Sequence, residues 1–298
     1  MAERIGIIGV GVMGSAIARR LLECGHEVLL CSRSMDKLEP LAELGASLKS
    51  TPRDVASEAD IVILSLNTAA IVEDVVFGTF GLATADCSDG LIIDMSSIDP
   101  AETRRMATQL LQRTGMAWVD APLSGGAPAA LAGRLTLMMG GAQADVSRAQ
   151  EILQELAANM THMGAVGAGQ TTKLINQVLC ACNFLSVAEA TRLAQDGGVD
   201  AALIPKALAG GRADSRILQE FMPKMAAGDL TPTGRIDNML KDLEAVQRFA
   251  MSVGTPMPVT GLVTELHRIM IAAGLGGEDN AAYMKLFDFG KAHRKPDA

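Results

Sequence analysis

Arg4-Ile5-Gly6-Ile7-Ile8-Gly9-Val10-Gly11-Val12-Met13-Gly14 decides the fold. Four apolar residues in a short run read as a buried strand, and Ala16, Ile17, Leu21 and Leu22 beyond it fall at helix spacing. Between the two stands G-x-G-x-x-G in the strand-to-helix setting that gives the pattern its meaning. Gly9 permits the tight turn, Gly11 lets a pyrophosphate approach the backbone, and Gly14 lets the helix pack closely on the strand. Gly9, Gly11, Val12, Met13 and Gly14 are therefore expected to bind a dinucleotide.

The next strand, expected over residues 26–31, runs into Ser32-Arg33-Ser34. An Asp or Glu at this place binds the ribose 2′-hydroxyl of NAD, and none is present. Arg33 between two hydroxyls suits a 2′-phosphate, so NADP(H) is the preferred cofactor, with NAD(H) as the alternative and an exposed strand-end arginine as the plain structural reading. Strands continue at 61–66, 91–94 and 117–119, with helices near Ile71 and from Pro100. This alternation is an α/β pattern, a Rossmann-type doubly wound parallel sheet. Such a sheet binds its ligand at the carboxyl ends of its strands, which nominates Leu66-Asn67-Thr68 and Met95-Ser96-Ser97 as cofactor-facing turns.

Asp120-Ala121-Pro122-Leu123-Ser124-Gly125-Gly126 ends a strand with a hydroxyl and two glycine N–H groups. It reads either as a cradle for a carboxylate or as a Pro/Gly turn ahead of a hairpin-like stretch at 133–140. Strand signals stop after about His162, and the rest reads as helices: 169–195, 201–209, 215–227, 237–253 and 258–273. The expected organisation is a dinucleotide-binding domain over 1–163 and an all-α domain over 164–298, joined by a long helix whose polar side looks into the cleft between them.

That helix opens on Gly167-Ala168-Gly169-Gln170-Thr171-Thr172-Lys173-Leu174-Ile175-Asn176-Gln177. Helical spacing places Leu174, Ile175, Val178, Leu179, Cys182 and Leu185 on one apolar stripe, with Lys173, Asn176, Cys180 and Asn183 opposite. Lys173 is the single charge between Gln170 and Ala188, so this polar side is expected to face protein or ligand. The helix N-terminus offers free N–H groups to an anion. The alternative is a lysine that snorkels to solvent and an asparagine that serves its neighbours.

The chain has 298 residues, 49% hydrophobic, with one Trp and one Tyr, which suits two domains and Ala-rich helix packing. A net charge of -8 argues against a nucleic-acid surface, and the basic run at 291–295 reads as a solvated tail. No run is expected to be long and apolar enough for a bilayer and no leader is apparent, so a cytoplasmic protein is expected. The five cysteines and four histidines show no ligand spacing, so free thiols and no metal are expected.

With the glycine loop, 120–126, 167–177 and Lys241-Asp242-Leu243 in that order, nearly the whole chain resembles the β-hydroxyacid dehydrogenase family. The run 173–177 and Arg235-Ile236-Asp237 look most like the family's tartronate semialdehyde reductases; the 3-hydroxyisobutyrate and glyoxylate/succinic semialdehyde enzymes are close relatives. Imine reductases replace the lysine, so Lys173 argues against them. Leu123, where Val is usual, is a minor departure.

The resemblance implies that Lys173 is the acid/base and that Asn176 holds the reacting oxygen or the carboxylate. It implies that Ser124, Gly125 and Gly126 bind the substrate carboxylate, that Ser96 and Lys241 contact the cofactor, and that Arg235 reads a second polar group. A lysine serving as a base near neutral pH must have its pKa lowered. The expected partners are a small carboxylate substrate and further copies of the chain, as a homodimer or homotetramer. The expected activity is hydride transfer between NADP(H) and a small 3-hydroxy acid or semialdehyde. The competing class is a non-catalytic dinucleotide-binding scaffold, which has no use for Lys173 on an uncharged face.

Overall fold

The structure, a computed structural model, describes residues 3–288. The basic run at 291–295 lies outside the described residues. The chain divides into two compact units, Met1–Lys173 and Leu174–Ala298.

The first unit alternates strand and helix: β1 (Ile5–Ile8), α1 (Val12–Glu23), β2 (Val28–Cys31), α2 (Glu39–Ala42), β3 (Ser47–Leu48), α3 (Pro52–Ala56), β4 (Ile61–Leu64), α4 (Ala69–Phe77), β5 (Leu91–Asp94), α5 (Pro100–Thr114) and β6 (Ala117–Asp120). It then runs through β7 (Leu123–Ser124), α6 (Gly126–Leu131), β8 (Leu135–Gly140), α7 (Gln143–Leu153) and β9 (Ala157–Gly164). The strands form one sheet in the order β3-β2-β1-β4-β5-β6-β8-β7, with β9 on β8. β3 through β6 pair in parallel, and β8 pairs antiparallel with β6 and β7. This is the expected Rossmann-type sheet.

Both faces of the sheet are covered, as the continuous apolar runs require. Ile5, Ile7, Ile61, Ile63, Leu91, Ile93 and Val119 pack on one side with α1 residues Ile17 and Leu21. Ile8, Leu29, Val62, Leu64, Ile92 and Trp118 pack on the other with Met106 and Leu110 of α5. The stretch that reads either as a carboxylate cradle or as a Pro/Gly turn ahead of a hairpin runs through a short strand into a short helix, and a longer strand follows. Gly125 and Gly126 have φ of +128° and +70°, so the chain reverses there before α6.

α8 (Ala168–Asp196) begins in the first unit and continues into the second, which holds α9 (Ile204–Leu208), α10 (Arg216–Ala227), α11 (Ile236–Val253) and α12 (Pro258–Ala272). The sequence reading missed the 3-10 segment Asn280–Phe287, whose Tyr283 is fully buried. In the second unit Ala181, Phe184, Leu185 and Ala188 pack with Leu218, Phe221, Met222, Ile236, Leu243 and Tyr283.

The buried side of α8 is not the expected stripe. Leu174 and Leu185 are buried, but Ile175 and Leu179 are 56% and 60% exposed, and the buried face carries the polar Gln177 and Thr191. A face that keeps polar groups by satisfying their hydrogen bonds is rotated from the one hydrophobicity alone selects. A second expectation is also corrected. α8 is long and apolar enough to cross a membrane by length and composition, and 44% of its apolar stretch is buried inside the protein. Thr171, Thr172, Asn176 and Asn183 break the run to the eye without lowering its mean hydropathy enough to disqualify it.

Candidate active site

The glycine loop has the geometry its spacing predicts. Gly9 has φ of +98°, and a Cβ there would lie 2.3 Å from the Ser65 carbonyl oxygen. A Cβ on Gly14 would lie 2.0 Å from the Gly9 carbonyl oxygen, so the helix can approach the turn only with glycine at that place. Gly11 differs: a Cβ there meets nothing within 4 Å. Ser15 N–H donates to the Gly11 carbonyl at 2.8 Å, which leaves the N–H groups of Val12, Met13 and Gly14 ahead of the first intrahelical hydrogen bond. Open space over Gly11 and a helix N-terminus with no side-chain cap fit a pyrophosphate.

A cavity of about 800 Å³ extends from this loop. Gly9, Gly11, Ser32, Arg33, Ser34, Leu66 and Asn67 all line it, so the structure brings these candidates together. Lys37 and Phe80 line it as well, and neither was singled out from the sequence. Lys37 closes the 3-10 turn Met35–Lys37, which carries it to the same wall as Arg33; the signal was a second cation four residues after the first. Arg33 has no ion pair among the described residues, and Asp36 does not line the cavity.

Ser96 is placed differently from Leu66 and Asn67. It is buried, and its hydroxyl accepts from the Leu66 N–H at 3.0 Å, so it holds the cavity's turn from behind. Its own N–H donates to Asp94 Oδ1 at 3.0 Å. Asp94 is fully buried, and burial pushes its carboxyl up to about 7, against the hydrogen bonds from Ser96; the neighbouring Asp120 adds to the rise. The two acids end adjacent parallel strands in register.

Asp120 answers what the N-terminus of α8 faces. Its Oδ1 accepts from Gly167 N–H at 2.7 Å and its Oδ2 from Gln170 N–H at 2.8 Å. The anion at this helix end is the protein's own carboxylate, which corrects the expectation of an end left open for a ligand. Burial raises the Asp120 carboxyl despite these donors, so burial outweighs the hydrogen bonding. The cap fixes the first turn of α8 to the end of β6. Lys173, half-buried, follows three residues after Gln170.

Ser124 ends β7, with Gly125 as the cap of α6 and Gly126 its first residue. Farther along α8, a chain of amides fixes the orientation of Asn176. Gln177 Nε2 donates to Asp242 Oδ2 at 2.6 Å, which leaves Gln177 Oε1 to accept from Asn176 Nδ2 at 2.8 Å. An ionised carboxylate only accepts, so the order of donors along the chain follows from Asp242. Asn176 Nδ2 also lies 3.6 Å from Cys180 Sγ. Its amide nitrogen is thus turned toward protein acceptors, and its carbonyl oxygen is the atom offered to a ligand. Neither Gln177 nor Asp242 was given a role from the sequence, since the link spans 65 residues.

Arg235, the residue that precedes α11, pairs through both Nε and Nη2 with Asp237, and on α11 Lys241 Nζ lies 3.5 Å from Asp242 Oδ1. Both cations are about half exposed. Cys24, Cys31, Cys87, Cys180 and Cys182 form no disulfide, and no cluster of metal-ligating residues occurs among the described residues.

Two family models cover the chain. The NAD-binding domain of 6-phosphogluconate dehydrogenase matches residues 4–164, and the NAD-binding domain of NADP-dependent 3-hydroxyisobutyrate dehydrogenase matches residues 167–287. The chain is 33% identical to 2-hydroxy-3-oxopropionate reductase of Escherichia coli over 291 residues, 98% of this chain and 99% of that one. It is 31% identical to L-threonate dehydrogenase of Cupriavidus necator, over 96% of this chain and 97% of the relative. Among solved structures, 3-hydroxyisobutyrate dehydrogenase of Mycobacterium tuberculosis with L-serine superposes at a TM-score of 0.88 with 27% identity, covering 97% of this chain and all of that one.

Proposed function

The chain belongs to the β-hydroxyacid dehydrogenase family, NAD(P)-dependent enzymes that act on CH–OH groups, and we propose that it interconverts a small 3-hydroxy acid and its semialdehyde with NADP(H), tartronate semialdehyde foremost. The observation that carries this reading is the anchoring of Lys173. The dinucleotide cavity, the Ser124-Gly125-Gly126 turn and Lys173 all belong to the first unit, and Asp120 ties the helix turn ahead of Lys173 to its sheet.

Gly9, Gly11 and the first turn of α1 would hold the dinucleotide, which would supply or take the hydride. The rest is the work of side chains. As hydride reaches the aldehyde carbon, charge grows on the carbonyl oxygen, and the Lys173 ammonium stabilises that charge and donates a proton from Nζ to it. In the opposite direction, neutral Lys173 Nζ takes the hydroxyl proton. Ser124 with the Gly125 and Gly126 N–H groups holds the substrate carboxylate. Asn176, through its carbonyl oxygen, receives the hydrogen of a substrate hydroxyl, in place of the contact to the reacting carbonyl oxygen or the carboxylate that the resemblance implied. Arg33 and Lys37 supply the positive charge for a 2′-phosphate. On α11, Lys241 contacts the cofactor, and Arg235 reads a second polar group of the substrate by exchanging Asp237 for it.

A spectrophotometric panel tests the reading: NADPH and NADH against tartronate, succinic and methylmalonate semialdehydes and glyoxylate, with the hydroxy acids in reverse. The expected result is the highest kcat/KM for tartronate semialdehyde with NADPH. A preference for another acid replaces the substrate assignment, and a preference for NADH replaces the cofactor assignment.

A further inference from the structure

Gln170 is 1% exposed, and its amide is used at both ends. Nε2 donates to the Ser96 carbonyl at 2.7 Å, and Oε1 accepts from the Ile98 N–H at 3.3 Å. Its backbone N–H donates to Asp120. The Ser96 hydroxyl in turn holds the Leu66 N–H, and Leu66 and Asn67 are part of the cavity wall. A hydrogen-bonded strut therefore runs from that wall through Ser96 to Gln170, one helical turn before Lys173, about 4.5 Å along the axis.

We propose that Gln170 is a positioning residue that couples the dinucleotide cavity to Lys173. It touches neither cofactor nor substrate. Burying a primary amide is unfavourable unless its hydrogen bonds are made, and a leucine would fill much the same space without them. What the amide adds is a fixed distance between the Leu66-Asn67 turn and the start of α8. The links measure 2.7 Å from Gln170 to Ser96, which is buried, and 3.0 Å from Ser96 to the part-buried Leu66 N–H, so a shift of the turn carries to the helix. Asp94 steadies the middle of the strut by accepting from Ser96 N–H. The inference rests on Lys173 being the proton donor.

The test compares wild type, Gln170→Leu and Gln170→Glu, with Lys173→Ala beside them. Amide hydrogen exchange is followed with and without NADPH, together with the NADPH dissociation constant and steady-state turnover. In wild type, NADPH should slow exchange at residues 168–173 as well as at the cavity wall. In Gln170→Leu the protection at 168–173 should vanish, with NADPH affinity within about threefold and kcat down by up to about 100-fold, the penalty a small misplacement carries. Gln170→Glu, if Gln170→Leu does not fold, provides an independent reading: a protonated Glu has one donor and one acceptor, so its turnover should recover as pH is lowered, with no such limb in wild type. Three results overturn the proposal: retained NADPH-dependent protection in Gln170→Leu, loss of NADPH affinity in proportion to kcat, or turnover in Gln170→Glu that follows the wild-type pH profile. Full turnover in Lys173→Ala would instead remove the lysine assignment and the strut's purpose with it, whereas an inactive Lys173→Ala beside a fully active Gln170→Leu removes the strut alone.

Discussion

Asp120 Oδ2 accepts the Gln170 N–H at 2.8 Å while its Oδ1 accepts the Gly167 N–H at 2.7 Å, so a carboxylate at the end of β6 caps a helix that begins 48 residues later (168 − 120). Asp120→Ala leaves two buried N–H groups without acceptors, at about 1–3 kcal/mol each. The variant should lose about 2–6 kcal/mol in urea unfolding and Asp120→Asn, which keeps one acceptor oxygen, should lose less. Stability of Asp120→Ala within 0.5 kcal/mol of wild type, in order-of-magnitude terms, would mean the cap contributes little.

Two glycines of one loop should fail in opposite ways. Gly14→Ala drives a methyl group to within 2.0 Å of the Gly9 carbonyl oxygen, so it should destabilise the fold by about 1–3 kcal/mol. Gly11 has φ of −87°, open to any residue, and free space over its Cβ position. Gly11→Ala should therefore melt like wild type and bind NADPH at least roughly tenfold more weakly, because the methyl group occupies the phosphate's place. Titration of NADPH fluorescence beside thermal melts separates the two, and equal melting temperatures for both variants would contradict the packing argument.

Arg33→Ala should weaken NADPH by about tenfold or more while leaving NADH nearly unchanged, since only the former has a 2′-phosphate for a charge-assisted hydrogen bond. Lys37→Ala should act in the same direction. Parallel losses for the two nucleotides would show that neither cation reads the phosphate.

Asp94 makes stability depend on pH with a defined sign. Its folded carboxyl titrates near 7, against an ordinary value of 3.8, because it is buried. Between those values the folded state holds a proton that the unfolded state has released, so this group's contribution to unfolding free energy falls as pH rises through the window and levels off above it. Asp120, also raised by burial, pulls the same way. Asp94→Asn should gain on wild type as urea unfolding is moved from about pH 4 to about pH 7. A difference between the two proteins that stays constant with pH would count against the assignment.

How much of this was legible in sequence depends on how local each cause is. The β1 run and its glycines are contiguous, and the contacts that require glycine at Gly9 and Gly14 lie within the fingerprint's own strand, turn and helix or on the adjacent strand's end, so the loop could be read without coordinates. The cap of α8 could not, because its acceptor comes from a strand that ends 48 residues earlier (168 − 120). The buried face of α8 was misjudged for the same reason: Gln177 is buried because Asp242 meets its amide, and no local pattern announces that partner. Ser96 is nominated for the cofactor by its strand end and by the resemblance; that its hydroxyl accepts from Leu66, 30 residues earlier, is a contact no local spacing announces. Lys37 escaped because a 3-10 turn, not a regular element, brings it to the cavity wall.

The proton donor decides the account. Lys173→Ala should lower kcat by about 10³-fold or more in NADPH-dependent reduction of tartronate semialdehyde, with the NADPH dissociation constant, measured by direct titration, within about threefold of wild type. Turnover near the wild-type rate in that variant would contradict the assignment of Lys173 Nζ as the group that protonates the nascent hydroxyl.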